Sequence, residues 1–154
     1  RENINKEDLS QVITQTYVNF KSDKIAPLHK LDKNKFLLEL FYGPTYAFKD
    51  YALQFLGNLF SICLRKYPQK ITILGATSGD TGSAAIHAFK SNKDINVFIL
   101  HPHNKVSPMQ QKQMTTVDEK NIFNIAIEGN FDDCQKIVKK LFLDDELDNS
   151  NKRL

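Results

Sequence analysis

The chain has 154 residues, 41% hydrophobic and 25% charged, which suits one soluble domain with a real core and excludes a disordered segment over most of its length. Its 21 basic and 18 acidic residues leave a net charge of +3 and, apart from Lys136, Lys139 and Lys140, form no dense basic run, so no nucleic-acid partner is expected. No secretory leader pattern opens the sequence, no apolar run reaches membrane-spanning length, and Cys63 and Cys134 stand far apart at apolar helical positions; no membrane partner and a reducing cytoplasmic location are expected.

In chain order, Leu9, Val12, Ile13, Tyr17 and Phe20 recur at helical spacing and predict a helix over 7–20. Lys21 to Lys35 reads as a charged connector containing Pro27, and Phe36–Phe41 as a short strand broken by Gly43-Pro44-Thr45. From Lys49 to Leu64 apolar residues occupy nearly the whole helical circumference: Leu53, Leu56, Phe60 and Leu64 on one side, Ala52, Phe55, Leu59 and Ile62 on the other. A helix of that kind is buried on more than one side. Tyr67-Pro68 ends it. Ile71–Leu74 is a β-branched strand, and after the loop Gly75–Gly82 a helix over Ser83–Lys90 presents the small face Ala84, Ala85 and Ala88. Ile95–Leu100 is a second strand. Ser107 as N-cap and Pro108 as first residue open a helix that runs to Thr116. Asn121–Ile127 gives a third strand, and Phe131, Cys134, Ile137, Val138, Leu141 and Phe142 stripe a final helix.

Strand–helix alternation of this kind predicts an α/β fold, an open parallel sheet with flanking helices in three layers. The chain divides into 1–35, an N-terminal helix and connector; 36–143, the α/β domain; and 144–154, a polar tail with nothing to pack a core.

Two segments carry chemistry. Lys49 stands among Tyr46, Ala47 and Phe48 at the mouth of a buried helix. Apolar surroundings push a lysine toward the neutral amine, the form that attacks an aldehyde to give a Schiff base. Asp50 beside it caps the helix or pairs with Lys49. The loop Gly75-Ala76-Thr77-Ser78-Gly79-Asp80-Thr81-Gly82 lies between a strand and a helix, where backbone N–H groups are free to meet an anion, and ligands in such sheets bind beyond the carboxyl ends of the strands. Its glycine spacing matches neither a Walker loop nor a dinucleotide fingerprint, and a turn with glycines for backbone reasons alone has the same look. The hydroxyls of Thr77, Ser78 and Thr81 favour anion binding. His101-Pro102-His103 has no third ligand nearby, so no metal site is expected.

Glu39-Leu40-Phe41-Tyr42-Gly43-Pro44-Thr45 followed by Ala47-Phe48-Lys49-Asp50 resembles the lysine motif of the threonine synthase family, pyridoxal-phosphate enzymes of the tryptophan-synthase-β fold type, fold type II. Ala76 to Gly82 resembles that family's second motif. Val106-Ser107-Pro108-Met109-Gln110 and Glu128 to Gln135 are similar to further family stretches, so the resemblance runs from about Ile4 to the end. The chain departs from the pattern at Tyr42, where the family usually has His, at Tyr46, usually a smaller apolar residue, and at Asn104, usually glycine.

The resemblance implies a carbon–oxygen lyase acting on a phosphate ester, converting O-phospho-L-homoserine and water to L-threonine and phosphate. It makes Lys49 the catalytic and cofactor-linked residue and sets Asp80 beside the cofactor. Thr77, Ser78, Gly79, Thr81 and Gly82 would hold the substrate carboxylate. It also implies a segment before this chain and a second domain after it, so the piece alone is expected to be inactive and without cofactor. The residues leave two other readings open. One is a sister enzyme of the same fold type, an amino-acid dehydratase or cysteine synthase. The other is a non-catalytic domain that binds an anion or nucleotide.

Overall fold

The computed structural model describes residues 4–144. Its elements are α1 (Lys6–Tyr17), β1 (Leu28–Asp32), β2 (Lys35–Leu38), α2 (Asp50–Lys66), β3 (Ile71–Ala76), α3 (Asp80–Phe89), β4 (Ile95–Pro102), α4 (Pro108–Thr115), β5 (Ile122–Ile127) and α5 (Phe131–Phe142). From β3 onward strands and helices alternate. The three strands form a parallel sheet in the order β3-β4-β5, with Ile71 paired to Ile95 and Val97 to Ile122. This is the open parallel α/β sheet with flanking helices that the alternation predicts.

β4 is central and the most buried strand, with Ile95, Val97, Ile99 and Leu100 all at 2% exposure or less. Ile95, Val97 and Ile99 share a side of the strand, as every second residue must. They join Ile86 and Phe89 of α3, Met114 of α4, and Val106 in one core cluster. α2 lies against α3, α1 against α2, and α5 packs on β3 and β4. Side-chain caps fix the helix starts. Asn5 accepts from the Asp8 amide, Ser107 from that of Gln110, and Asn130 and Asp133 form a reciprocal capping box.

Four elements differ most from the sequence expectation. The connector predicted over Lys21–Lys35 contains β1, and the strand predicted over Phe36–Phe41 is β2, ending at Leu38. The two form an antiparallel hairpin (Leu28 opposite Leu38, Lys30 opposite Phe36) separate from the parallel sheet. All nine residues of the hairpin strands are exposed, so no buried face imposes the apolar alternation by which a strand is recognised. The helix predicted over 7–20 ends at Tyr17. Phe20 folds back instead, edge-on to Tyr17 and Tyr51 with centroids 5.2 and 4.8 Å away, while Leu9 and Ile13 of the predicted stripe stay exposed and Val12 and Thr16 are buried. α3 begins at Asp80, three residues early, so the second half of the loop is its first turn. Of the polar tail predicted over 144–154, residues 145–154 lie outside the described residues.

Among the described residues, no helix is long and apolar enough to cross a membrane, and no group of three or more His, Cys, Asp or Glu side chains is placed to hold a metal ion. His101 is buried at the end of β4, while His103 is exposed and meets Glu128, Nδ1 to Oε1, at 2.6 Å.

Candidate functional site

The lysine segment is built around Asp50. This carboxylate is fully buried and turns back on the preceding turn, accepting from the Thr45 amide at 2.8 Å and the Thr45 hydroxyl at 2.7 Å. Gly43 makes the approach possible, because a Cβ there would stand 2.4 Å from the Asp50 Cβ. Of the two roles the sequence left open for Asp50, neither is the one seen: it locks the Gly43-Pro44-Thr45 turn to the start of α2. Lys49 is thereby held in helical conformation immediately before α2. Its side chain is half-buried, and its ammonium stands over the Phe48 ring, 4.2 Å from the centroid. Among the described residues it makes no hydrogen bond or ion pair. The aromatic company expected around it is present but open: Phe41, Tyr46 and Phe48 are each about half exposed.

Tyr46 has φ +62, a left-handed conformation that costs a side-chain-bearing residue roughly 1–2 kcal/mol. Its ring carries the Lys21 ammonium 4.2 Å above it, and its hydroxyl accepts from the same group. Asn104, standing where a glycine is usual in the resembling family, has φ +55, which asparagine tolerates best among residues with a side chain. Beside the lysine segment the Tyr42 hydroxyl donates to Glu39 at 2.6 Å, and that bond raises the Tyr42 pKa above its ordinary value.

The second segment starts where β3 ends. Thr77, 2% exposed, donates its amide to Leu100 and so extends the sheet by one bond. Its hydroxyl oxygen accepts from the amides of Gly79 at 2.9 Å and Gly82 at 2.8 Å. Gly79 has φ +148, a backbone only glycine adopts without strain, and a Cβ there would collide with the Gln110 amide. The loop thus splits by burial. Thr77, Gly79 and Gly82 are buried and bonded to one another, whereas Ser78, Asp80 and Thr81 face outward. The family resemblance implies all of Thr77, Ser78, Gly79, Thr81 and Gly82 as donors to a carboxylate. The Gly79 and Gly82 amides are already engaged and the Thr77 hydroxyl is buried, which leaves the Ser78 and Thr81 hydroxyls and the amides at the start of α3 as the exposed donors.

An open groove of about 590 Å³ runs between the two segments. Leu40, Phe41 and Thr45 to Phe48 form one wall, and Asp80, Ser107, Met109, Gln110 and Gln113 the other. Of the predicted site residues Asp80 alone lines it. Lys49 directly follows the last residue of the first wall, and the remaining loop residues do not line the groove. α4 ties the walls together: the Gln113 side-chain amide donates to the Thr45 carbonyl at 3.1 Å, and that of Gln110 donates to Asp80. The sequence names Gln110 only as the last residue of a family-like stretch and assigns neither glutamine a role. Ser107-x-x-Gln110 carries the spacing of a capping box, but in the structure the Gln110 amide reaches across to Asp80.

No protein-family model matches the chain. The chain resembles threonine synthases along nearly all of its own length. It is 49% identical over 151 residues to the threonine synthase of Eremothecium gossypii, covering 90% of this chain. It is 53% identical over 137 residues to that of Pseudomonas aeruginosa, covering 89%. Its fold superimposes on the crystal structure of PLP-bound threonine synthase from Brucella melitensis with a TM-score of 0.89 over 98% of this chain, at 44% identity. The chain spans only 30%, 29% and 32% of those three proteins, respectively.

Proposed function

We propose that the protein carrying this chain is a threonine synthase, a pyridoxal-phosphate-dependent lyase that converts O-phospho-L-homoserine and water to L-threonine and phosphate in the cytoplasm. The observation that carries the reading is one groove with the segment leading into Lys49 on one wall and Asp80 of the anion loop on the other, in a chain about half identical to threonine synthases.

The residues present suit the cofactor. Among the described residues the Lys49 amine is engaged only by a ring face, which leaves it available for a covalent link. Aromatic side chains wall the groove beside it, and the start of α3 offers amides to an anion. Pyridoxal phosphate, when bound, supplies an electron-withdrawing ring that stabilises negative charge on carbon next to the substrate nitrogen, so that protons leave the substrate carbons and the γ-phosphate departs. Lys49 is then the group positioned to take and return protons. Ser78 and Thr81 bind the substrate carboxylate with hydroxyl donors, and Asp80 is the loop residue turned toward the cofactor. Thr77, Gly79 and Gly82 keep those donors in place.

The test is phosphate release from O-phospho-L-homoserine by the full-length protein, with L-threonine as the other product. Lys49→Ala should abolish it. Elimination from serine, threonine or O-acetylserine without phosphate release would assign the sister chemistry instead.

A further inference from the structure

We propose that α4 is the brace that keeps the lysine segment and the anion loop in register, with Gln110 and Gln113 as its positioning residues; the inference rests on the site assignment above and adds to it the parts that hold it. The two glutamines are three residues apart, so they project from neighbouring positions on one face of α4. One reaches each wall of the groove. Gln113 holds the carbonyl of Thr45, whose amide and hydroxyl are already fixed by Asp50, so the turn ahead of Lys49 is gripped from two directions.

Gln110 is oriented by its own N-cap. The Ser107 hydroxyl oxygen accepts from the Gln110 backbone amide, and its proton goes to the Gln110 side-chain carbonyl at 2.8 Å. With its oxygen committed there, the side-chain NH2 must face Asp80, and it donates to Oδ1. One carboxylate oxygen of Asp80 is therefore held as an acceptor, and the carboxylate is fixed in orientation at the groove wall. The missing Cβ of Gly79 completes the device, because a side-chain carbon there would stand 2.3 Å from the Gln110 carbonyl oxygen. The left-handed glycine of the loop and the glutamine of α4 thus fit as one unit.

Two measurements on the full-length protein test the brace. In the cofactor-free form, the side-chain NH2 resonances of Gln110 should move, and exchange faster with water, when Asp80→Asn replaces the charged acceptor. In the cofactor-loaded form, Gln110→Glu keeps the shape but sets an acceptor against Asp80. A hydrogen bond to a charged group is worth a factor of about ten to a hundred, so the unfolding midpoint should fall, and under conditions where the variant is still folded kcat/KM should drop by about that factor with weaker cofactor affinity. Gln110→Met, also similar in shape, should fall between wild type and Gln110→Glu. Resonances that ignore Asp80→Asn, or a Gln110→Glu enzyme with wild-type kcat/KM and cofactor affinity, would overturn the proposal. A protein that shows the amide response but releases no phosphate from O-phospho-L-homoserine would keep the brace and remove the assigned reaction.

Discussion

Replacing Thr77 by valine is the sharpest perturbation of the loop, because valine keeps the shape and removes one atom with two bonds. Thr77 is 2% exposed, and among the described residues its hydroxyl oxygen is the sole acceptor drawn to the amides of Gly79 and Gly82, at 2.9 and 2.8 Å. Each buried amide left without a partner costs about 1–3 kcal/mol, so the pair sets an upper bound of about 6 kcal/mol. Ser78 and Thr81 face solvent on either side, so water reaches part of the loop and the expected loss is nearer 2–3 kcal/mol. That is a large share of the roughly 5–15 kcal/mol that holds a domain together. Thr77→Ser keeps the acceptor and loses one methyl, for about 1 kcal/mol. Equilibrium urea unfolding should therefore rank wild type, Thr77→Ser and Thr77→Val in falling order. Amide exchange should accelerate at Gly79 and Gly82 in the valine variant alone. Equal stability of the two variants would refute the view that this hydroxyl organises the loop.

Asp50→Asn should destabilise the protein by about 1.5–3 kcal/mol in the same assay, since the amide turns an NH2 toward one of the two Thr45 donors, and it should weaken cofactor binding in an absorbance titration. His87 gives a pH signature: burial, with the Lys90 charge second, lowers its pKa from the ordinary 6.5. The fold prefers the neutral imidazole, so its contribution is complete above 6.5 and is lost as pH falls through the lower folded value. Unfolding free energy measured at pH 8 and pH 5 should consequently change less with pH in His87→Gln than in wild type, and an unchanged pH slope would contradict this.

The parallel part of the fold was legible because each of its strands has a face to bury. Ile95, Val97 and Ile99 alternate into the core, and Ser107-Pro108 announces α4 with cap chemistry. β2 was legible as a strand, but β1 and the antiparallel pairing were not, because Leu28, Leu31, Phe36 and Leu37 are exposed whichever side they point to. At the site, Lys49 and the loop stood out by composition, yet the roles within the loop did not. Thr77 and Ser78 are adjacent hydroxyls in the sequence, and only burial separates the one that shapes the turn from the one that faces outward. Gln110 and Gln113 lie 61 and 64 residues beyond Lys49 (110 − 49 and 113 − 49), so their reach across the groove depends on the tertiary fold, which local pattern does not carry.

The central claim is that Lys49 carries the cofactor. Full-length protein incubated with pyridoxal phosphate, reduced with borohydride and digested should yield one labelled peptide with the modification on Lys49, and Lys49→Ala should yield none there while remaining folded. A stoichiometric label on any other lysine, or none at all in protein that turns over O-phospho-L-homoserine, would contradict the account.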